Sequence, residues 1–209
     1  MQLPPIISQQ PELLWRFLGI FQKPFARLLH AAIVILVLLQ IISSNWMHFS
    51  APDTMDPATT VIIASWYHII AGLSVVTLAV LQVSYSLWTK GPRHFFPYLW
   101  KDNEQLKKDI IDSLHFKMVA PRPKGLAATV QGLGMGALLL TSCSGLVWML
   151  LWLKGANYAE VAGTVRSIHK ELSFLLELYF VGHGSMALLH FGVWQRETNK
   201  KQSTETRSA

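Results

Sequence analysis

Five of the eight histidines in the chain lie inside long apolar stretches, where an imidazole needs a hydrogen-bonding or ligating partner. His169 and His183 share one stretch, SIHKELSFLLELYFVGHGSMALLH, and are 14 residues apart. At ~100° per residue, this separation falls roughly 40° short of four full turns and rises about 21 Å. Both side chains therefore lie on one helix face at two depths, where they could bind metal at two levels.

Each level can gain a second histidine from another apolar stretch. His30 lies near the start of the first stretch, and His68 lies near the start of the second, which runs in the opposite direction. The depths predict two pairs, His68 with His169 and His30 with His183. Bis-histidine ligation at two levels is what two b-type haems need, and axial ligand identity helps to set the haem potential. Zinc is the alternative, but it prefers ligands gathered at one level, often with cysteine or carboxylate.

Basic and small residues accompany the four histidines. Arg27 and Arg166 each stand three residues before a candidate ligand and could pair with haem propionates. Small residues near the ligands would leave room for a flat macrocycle: Gly72, Gly182 and Gly184. Gly132 and Gly136 instead fit close helix packing of the small-xxx-small kind.

Two further ionisable residues, His190 and Glu177, lie in the fourth stretch. His190 is seven residues after His183, which is ~10 Å along a helix and too far for both to bind one iron. We expect His190 at a quinone pocket or at the surface. Glu177 could handle protons or simply pair with a polar group. The histidines of the connections are expected to be solvated: His48, His94 and His115.

The elements that position these residues are four apolar blocks, each long enough to cross a bilayer, which takes ~20 helical residues. They are residues 28–46, 61–88, 126–153 and about 165–194. The chain is 51% hydrophobic and 14% charged, which is less charge than a soluble domain of this size usually has. The single cysteine and the lack of a C-x-x-C-H motif exclude an internal disulfide and a c-type haem.

The basic residues are distributed unevenly between the two sides of these blocks. Fifteen Lys and Arg fall in the two terminal segments and the 89–124 connection, and three fall on the other side. By the positive-inside rule, both termini and the 89–124 connection are cytoplasmic. This placement also argues against nucleic acid as the partner of a chain with net charge +6. The fold class predicted is all-α, an integral membrane four-helix bundle with the lipid bilayer as its surroundings.

The segments outside the blocks complete the predicted organisation. Residues 1–24 form an amphipathic cytoplasmic or interfacial segment, 25–195 the transmembrane domain, and 196–209 a disordered cytoplasmic tail. Helical spacing in residues 103–116 predicts a short interfacial helix between spans two and three. The connection APDTMDPATT, with two prolines and two acids, is expected to be an exposed turn.

Three stretches, ARLLHAA, WYHIIAG and IHKELSFLLELYFVGH, give the chain a resemblance to a known family. Over residues 20–195 it resembles the bacterial diheme cytochrome b561 family, which includes the cytochrome b subunits of nickel–iron hydrogenases and formate dehydrogenase. The resemblance implies two haems b, an outer one on His68 and His169 and an inner one on His30 and His183. It also implies electron transfer in the bacterial inner membrane between the quinone pool and a periplasmic redox protein or enzyme subunit.

Two other functions stay open at this point. A smaller branch of the family that the chain resembles oxidises superoxide and delivers the electron to quinone, which needs a cationic funnel to an exposed outer haem edge. Lys154, Arg166 and Lys170 could build that funnel. The other alternative is a haem-free membrane anchor. Hydrolase and transferase chemistry are not expected, because the chain offers no nucleophile with a base, phosphate loop or carboxylate pair.

Overall fold

The computed structural model describes residues 10–50 and 53–208, with side chains described to residue 200. Two short antiparallel strands, β1 (Phe49–Ser50) and β2 (Thr54–Met55), pair Phe49 with Met55. The helices in the described ranges are α1 (Gln10–Phe21), α2 (Pro24–Ser44), α3 (Thr59–Lys90), α4 (Pro92–Phe95), α5 (Glu104–Leu114), α6 (Leu126–Trp152) and α7 (Ala159–Ser208). Single turns of 3-10 helix lie at Pro97–Trp100 and Ala156–Tyr158.

Four helices within the described residues are long and apolar enough to cross a membrane. They are Pro24–Ser44, Thr59–Lys90, Leu126–Trp152 and Ala156–Lys200. Large apolar side chains on these helices are exposed, including Ile35, Ile63 and Leu140, as expected for surfaces that face lipid. The all-α fold predicted from the sequence is confirmed, and the four apolar helices are compatible with a membrane bundle. The cytoplasmic location of both termini stays a prediction.

The ends of the last helix differ from the sequence prediction. It begins at Ala159, soon after Gly155, whose φ of 81° marks the break behind α6, whereas the apolar block begins near residue 165. It continues to Ser208, although the sequence predicts a disordered tail from residue 196. Lysine, arginine, glutamate and glutamine are good helix formers, so the polar residues after Trp194 can extend the helix.

Contacts divide the chain into two compact units. One is Leu29–Glu177, and the other comprises the described parts of Met1–Leu28 and Leu178–Ala209. Within the second unit, Phe17 of α1 is buried against Phe191 and Trp194 of α7, with ring centres 5.6 and 5.7 Å away. The predicted division at residues 24 and 195 stays a prediction, and residues 1–9 lie outside the described part.

The core of the Leu29–Glu177 unit contains Ile69 of α3, Trp148 of α6 and Ala162 of α7. Phe49 of β1 packs on the Trp148 ring, with ring centres 5.4 Å apart. The connection between α2 and α3 therefore folds onto the helices, and its Asp53 is only 5% exposed. The prediction of an exposed turn is wrong at this residue, because the carboxylate finds partners on two helices; Ala51 and Pro52 lie outside the described residues.

The connection between α3 and α6 contains the predicted short helix, α5, although its position at the membrane interface stays a prediction. Asp109 of α5 is 2% exposed and accepts the N–H of Leu126 at 2.9 Å, so it caps the start of α6. Gln105 donates to the other oxygen of Asp109 at 2.6 Å.

In the same connection, burial and, secondarily, the charge of Lys90 lower the pKa of His94, which favours the neutral form of its imidazole.

The two glycines expected in close helix packing have different surroundings. A Cβ at Gly132 would lie 2.9 Å from Phe95 Cβ and from Phe96 Cε1, so α6 packs there against the connection rather than against another span. A Cβ at Gly136 would meet nothing within 4 Å among the described residues. Gly132 therefore provides a close contact, and Gly136 does not.

Replacement of Asp109 by alanine is expected to lower the free energy of unfolding by about 2 kcal/mol, because it removes a helix cap and two hydrogen bonds of a buried carboxylate. The thermal midpoint in detergent should fall by roughly 5 °C for a chain of this size. Asp112→Ala is the matched control on the same helix, since that carboxylate makes a 3.4 Å contact with an exposed lysine. Equal midpoints for the two variants would contradict the cap.

Candidate functional site

His68 of α3 and His169 of α7 lie side by side within the Leu29–Glu177 unit. Their ring centres are 6.4 Å apart and their ring planes make an angle of 89°. One histidine comes from the first third of the second span and the other from the first third of the fourth, where parallel-running helices reach the same depth. The structure thus brings together the two residues that the sequence paired as outer ligands.

The ring of His169 is held in one tautomer by its surroundings. Its Nδ1 lies 3.0 Å from the carbonyl oxygen of Thr141, which can only accept a hydrogen bond. Nδ1 must therefore carry the proton, and Nε2 keeps its lone pair. Ser144 Oγ, 3.1 Å from Nδ1, donates its own proton to the same carbonyl at 2.8 Å. These contacts orient the ring and leave Nε2 as the atom that can bind a metal.

The ring of His68 is held by residues of α2 through contacts that are compatible with the same tautomer. Its Nδ1 lies 3.0 Å from Ser43 Oγ, and that hydroxyl donates to the carbonyl oxygen of Gln40 at 3.1 Å. With its own proton on that carbonyl, Ser43 Oγ can accept Nδ1–H of His68, an arrangement that keeps the lone pair on Nε2. Gln40 Nε2 in turn donates to the carbonyl oxygen of His68 at 2.9 Å. Metal-binding histidines are commonly oriented in this way through the second ring nitrogen.

A cavity of about 390 Å³ lies between the helices at this point and is lined by both histidines. Its size falls in the range of pockets that hold small ligands and cofactors. Gly145 of α6 makes room for the imidazole ring of His169, because a Cβ there would lie 2.9 Å from His169 Cε1. Gly72 makes room for Gln40, because a Cβ there would lie 3.0 Å from Gln40 Nε2. Apolar side chains complete the lining: Val37, Ile69, Leu138 and Trp148.

The spacing of the two rings fits axial ligation of one iron. A histidine nitrogen binds a metal at about 2 Å, and a ring centre lies roughly 1 Å behind its nitrogen, so two such centres lie ~6 Å apart. The observed distance between His68 and His169 is 6.4 Å. No group of three or more His, Cys, Asp or Glu suited to a metal occurs in the described part of the chain. Two histidines alone fit a macrocycle that supplies the other donors, and not a zinc site.

Arg166 also lines this cavity, but it has a protein partner that the sequence did not reveal. Its Nε donates to Asp53 Oδ1 at 2.6 Å, and Asp53 Oδ2 accepts the indole N–H of Trp148 at 2.8 Å. The guanidinium carbon lies 5.3 Å from the ring centre of Phe49. Lys170 and Glu177 of the same helix line the cavity too. The role of Arg166 toward a haem propionate stays a prediction, and nothing in the sequence indicates the carboxylate that holds it.

The remaining predicted residues are placed as follows. The guanidinium of Arg27 lies 4.1 Å above the Trp15 ring and donates to the Trp15 carbonyl oxygen at 2.7 Å, so α1 holds it. His183 stacks on Tyr179 one turn before it, with ring centres 5.2 Å apart. His30 belongs to the Leu29–Glu177 unit and His183 to the other unit, so their pairing stays a prediction.

Several residues that shape the cavity have types that give no warning in the sequence. Gln40, Ser43, Thr141 and Gly145 are ordinary residues of transmembrane helices, and three of them act through a backbone carbonyl or the absence of a side chain. In the sequence alone, a small or hydroxyl residue on another helix is only a weak indication that it contacts a candidate histidine. Only the packing of α2 on α3 and of α6 on α7 turns it into a contact.

Comparison with known proteins gives one match. A family model described as prokaryotic cytochrome b561 matches residues 22–201. The search of curated proteins returned no match. The search of solved structures returned no match either. The matched range includes every histidine proposed as a ligand.

Proposed function

The chain belongs to the prokaryotic cytochrome b561 family, and on this premise we propose that it is a diheme b-type cytochrome that carries electrons between the quinone pool and a periplasmic redox partner. The family assignment and the four apolar helices make it a membrane b-type cytochrome of electron transfer. The number of haems, the quinone and the partner belong to the proposal.

The observation that carries the proposal is the pair His68 and His169, each held through Nδ1 by its neighbours, with Nε2 as the ring nitrogen left for a metal. These two residues would hold one haem b from its two sides. The haem supplies one-electron chemistry, and the protein supplies ligands, orientation and electrostatics. Gly145 leaves space for the His169 ring, and apolar side chains form much of the cavity lining around it. Arg166 would bind an acidic group of the haem.

The second haem would bind to His30 and His183. Gly182 and Gly184 flank His183 in the sequence and would leave space for the macrocycle. The spacing of 14 residues between His169 and His183 would put these two proposed ligands on one helix face, about 21 Å apart along the helix. Two haems at these depths would bridge most of the bilayer for electrons.

The proposed orientation places the His68 and His169 site near the periplasmic face of the bacterial inner membrane. Fifteen of the eighteen Lys and Arg residues belong to the segments assigned to the cytoplasm. The contact of Phe17 in α1 with Trp194 in α7 supports a common side for both ends of the chain. The haem near the periplasm would then exchange electrons with the partner protein.

The superoxide:quinone oxidoreductase alternative receives less support from the site. Arg166 and Lys170 do line a shared surface depression beside His48, as a cationic funnel would require. However, Asp53 compensates the charge of Arg166, and Lys154 instead lies over the Tyr158 ring, 5.0 Å from its centre. One compensated arginine and one lysine attract an anion weakly. The weak cationic character of this surface therefore favours exchange of electrons with a redox partner over oxidation of superoxide.

An absorption spectrum of the detergent-purified protein tests the proposal. Addition of a quinol should reduce the protein and produce the alpha band of six-coordinate haem b near ~560 nm. The haem content should be two per chain. A colourless protein would contradict the proposal and would favour the haem-free anchor. Reduction by superoxide much faster than by quinol, and slowed by salt, would instead favour the superoxide oxidase.

A further inference from the structure

The connection between α2 and α3 places one carboxylate inside the protein. The side chain of Asp53 has no exposed surface. Both of its oxygens are engaged, one by Arg166 Nε at 2.6 Å and the other by the indole N–H of Trp148 at 2.8 Å. Burial of a carboxylate is costly unless it is paired and hydrogen-bonded in this way. Asp53 thus joins the β1–β2 connection to α6 and α7.

Asp53 occupies only one edge of the Arg166 guanidinium. Among the described residues, Asp53 contacts Nε of Arg166, and Arg166 makes no other hydrogen bond. The guanidinium has further N–H donors, which suit an acidic group of a bound molecule. The aromatic ring of Phe49, 5.3 Å from the guanidinium carbon, restricts its orientation as well. Arg166 is therefore fixed before any ligand enters the cavity that it lines.

The Asp53–Arg166 pair belongs to a small set of charged residues around the cavity. The charged residues in its lining are Arg166, Lys170 and Glu177. Arg166 is three residues before His169, so it is the cation one turn away from a proposed ligand. The carboxylate of Asp53 compensates this cation in a partly buried place, where water screens charges less than at the surface.

We propose that Asp53 is a positioning residue that fixes Arg166 and sets the reduction potential of the haem held by His68 and His169. This inference rests on the proposed function, because it concerns the same cavity. Loss of the Asp53 charge leaves Arg166 uncompensated, and an uncompensated positive charge favours the reduced haem, which has one more electron. Loss of the Arg166 charge leaves Asp53 uncompensated and favours the oxidised haem.

An equilibrium redox titration of the purified protein, followed at the alpha band, tests this inference without a partner or turnover. Asp53→Asn should raise the potential of one haem and leave the other unchanged. A unit charge roughly 10 Å away in a partly screened site changes the reduction equilibrium about tenfold, which is ~59 mV for one electron. Arg166→Gln should lower the same potential, and the double variant should return it close to wild type.

Two further variants separate positioning from a general structural role. Asp53→Glu retains the negative charge at this position and should keep the wild-type reduction potential. Glu160→Gln removes an exposed carboxylate from the first turn of α7 and should leave both potentials unchanged. If Asp53→Asn does not accumulate, Arg166→Gln and the double variant provide the test, because the double variant contains no uncompensated buried charge.

The possible outcomes are distinguishable. Shifts of Asp53→Asn and Arg166→Gln in the same direction, or a shift of Asp53→Asn no larger than that of Glu160→Gln, would overturn the role of Asp53. Failure of the double variant to restore the potential would overturn it as well. A wild-type protein without haem would instead overturn the proposed function. A haem-containing wild type with an unresponsive Asp53→Asn would overturn this inference alone.

Discussion

Replacement of His68 by alanine is expected to remove about half of the reduced alpha band of the purified protein, because that band requires two axial ligands on each iron. His169→Ala should give the same loss, and the double variant should lose no more than either single variant. This non-additivity is expected because one iron needs both imidazoles at once. The measurement is the reduced-minus-oxidised spectrum, normalised to protein concentration.

His115→Ala is the matched control for these two variants. His115 lies at the end of α5, is exposed, and places its Nδ1 2.8 Å from the Ile111 carbonyl oxygen. Its loss should leave the spectrum unchanged. Losses that add up in the double variant would mean that His68 and His169 serve different irons, and an unchanged band in both single variants would rule out ligation by this pair.

Gly145→Val is expected to remove the same haem without any change to a ligand. A Cβ at Gly145 would lie 2.9 Å from His169 Cε1 and 3.2 Å from its Nδ1. The ring cannot move away easily, because Thr141 and Ser144 hold its Nδ1. The branched side chain would therefore displace the imidazole, and even Gly145→Ala should reduce the alpha band measurably.

Gly136→Val on the same helix provides the control, since a Cβ there meets open space among the described residues. It changes helix propensity by the same amount as the variant at Gly145. The haem content of Gly136→Val should equal that of wild type. Equal losses in both variants would show that the effect comes from the helix and not from the ring of His169.

The sequence was sufficient to predict the four spans and the pairing of His68 with His169 in space. Long apolar blocks determine membrane helices almost by themselves, because a lipid-exposed backbone has to satisfy its own hydrogen bonds. Histidines are rare in such blocks, so a histidine near the start of the second and of the fourth span indicates a ligand or a buried hydrogen bond. Helical periodicity then placed His169 and His183 on one face.

Asp53 could not be predicted from the sequence, because its role depends on contacts with residues 95 and 113 positions later in the chain. A proline-rich connection with two acids usually lies in water, and nothing local distinguishes Asp53 from Asp56. Gly145 was missed for a similar reason. A glycine in a transmembrane helix usually means helix packing, and only the position of the His169 ring gives it another task.

Electron paramagnetic resonance of the oxidised, purified protein tests the central claim most directly, which is that His68 and His169 bind one iron. Two axial imidazoles give low-spin ferric haem. Since the two ring planes make an angle of 89°, the signal of this haem should be the strongly anisotropic low-spin type that perpendicular imidazoles produce. That signal should disappear in His68→Ala. A high-spin ferric signal in the wild type, or a protein without haem iron, would contradict the account.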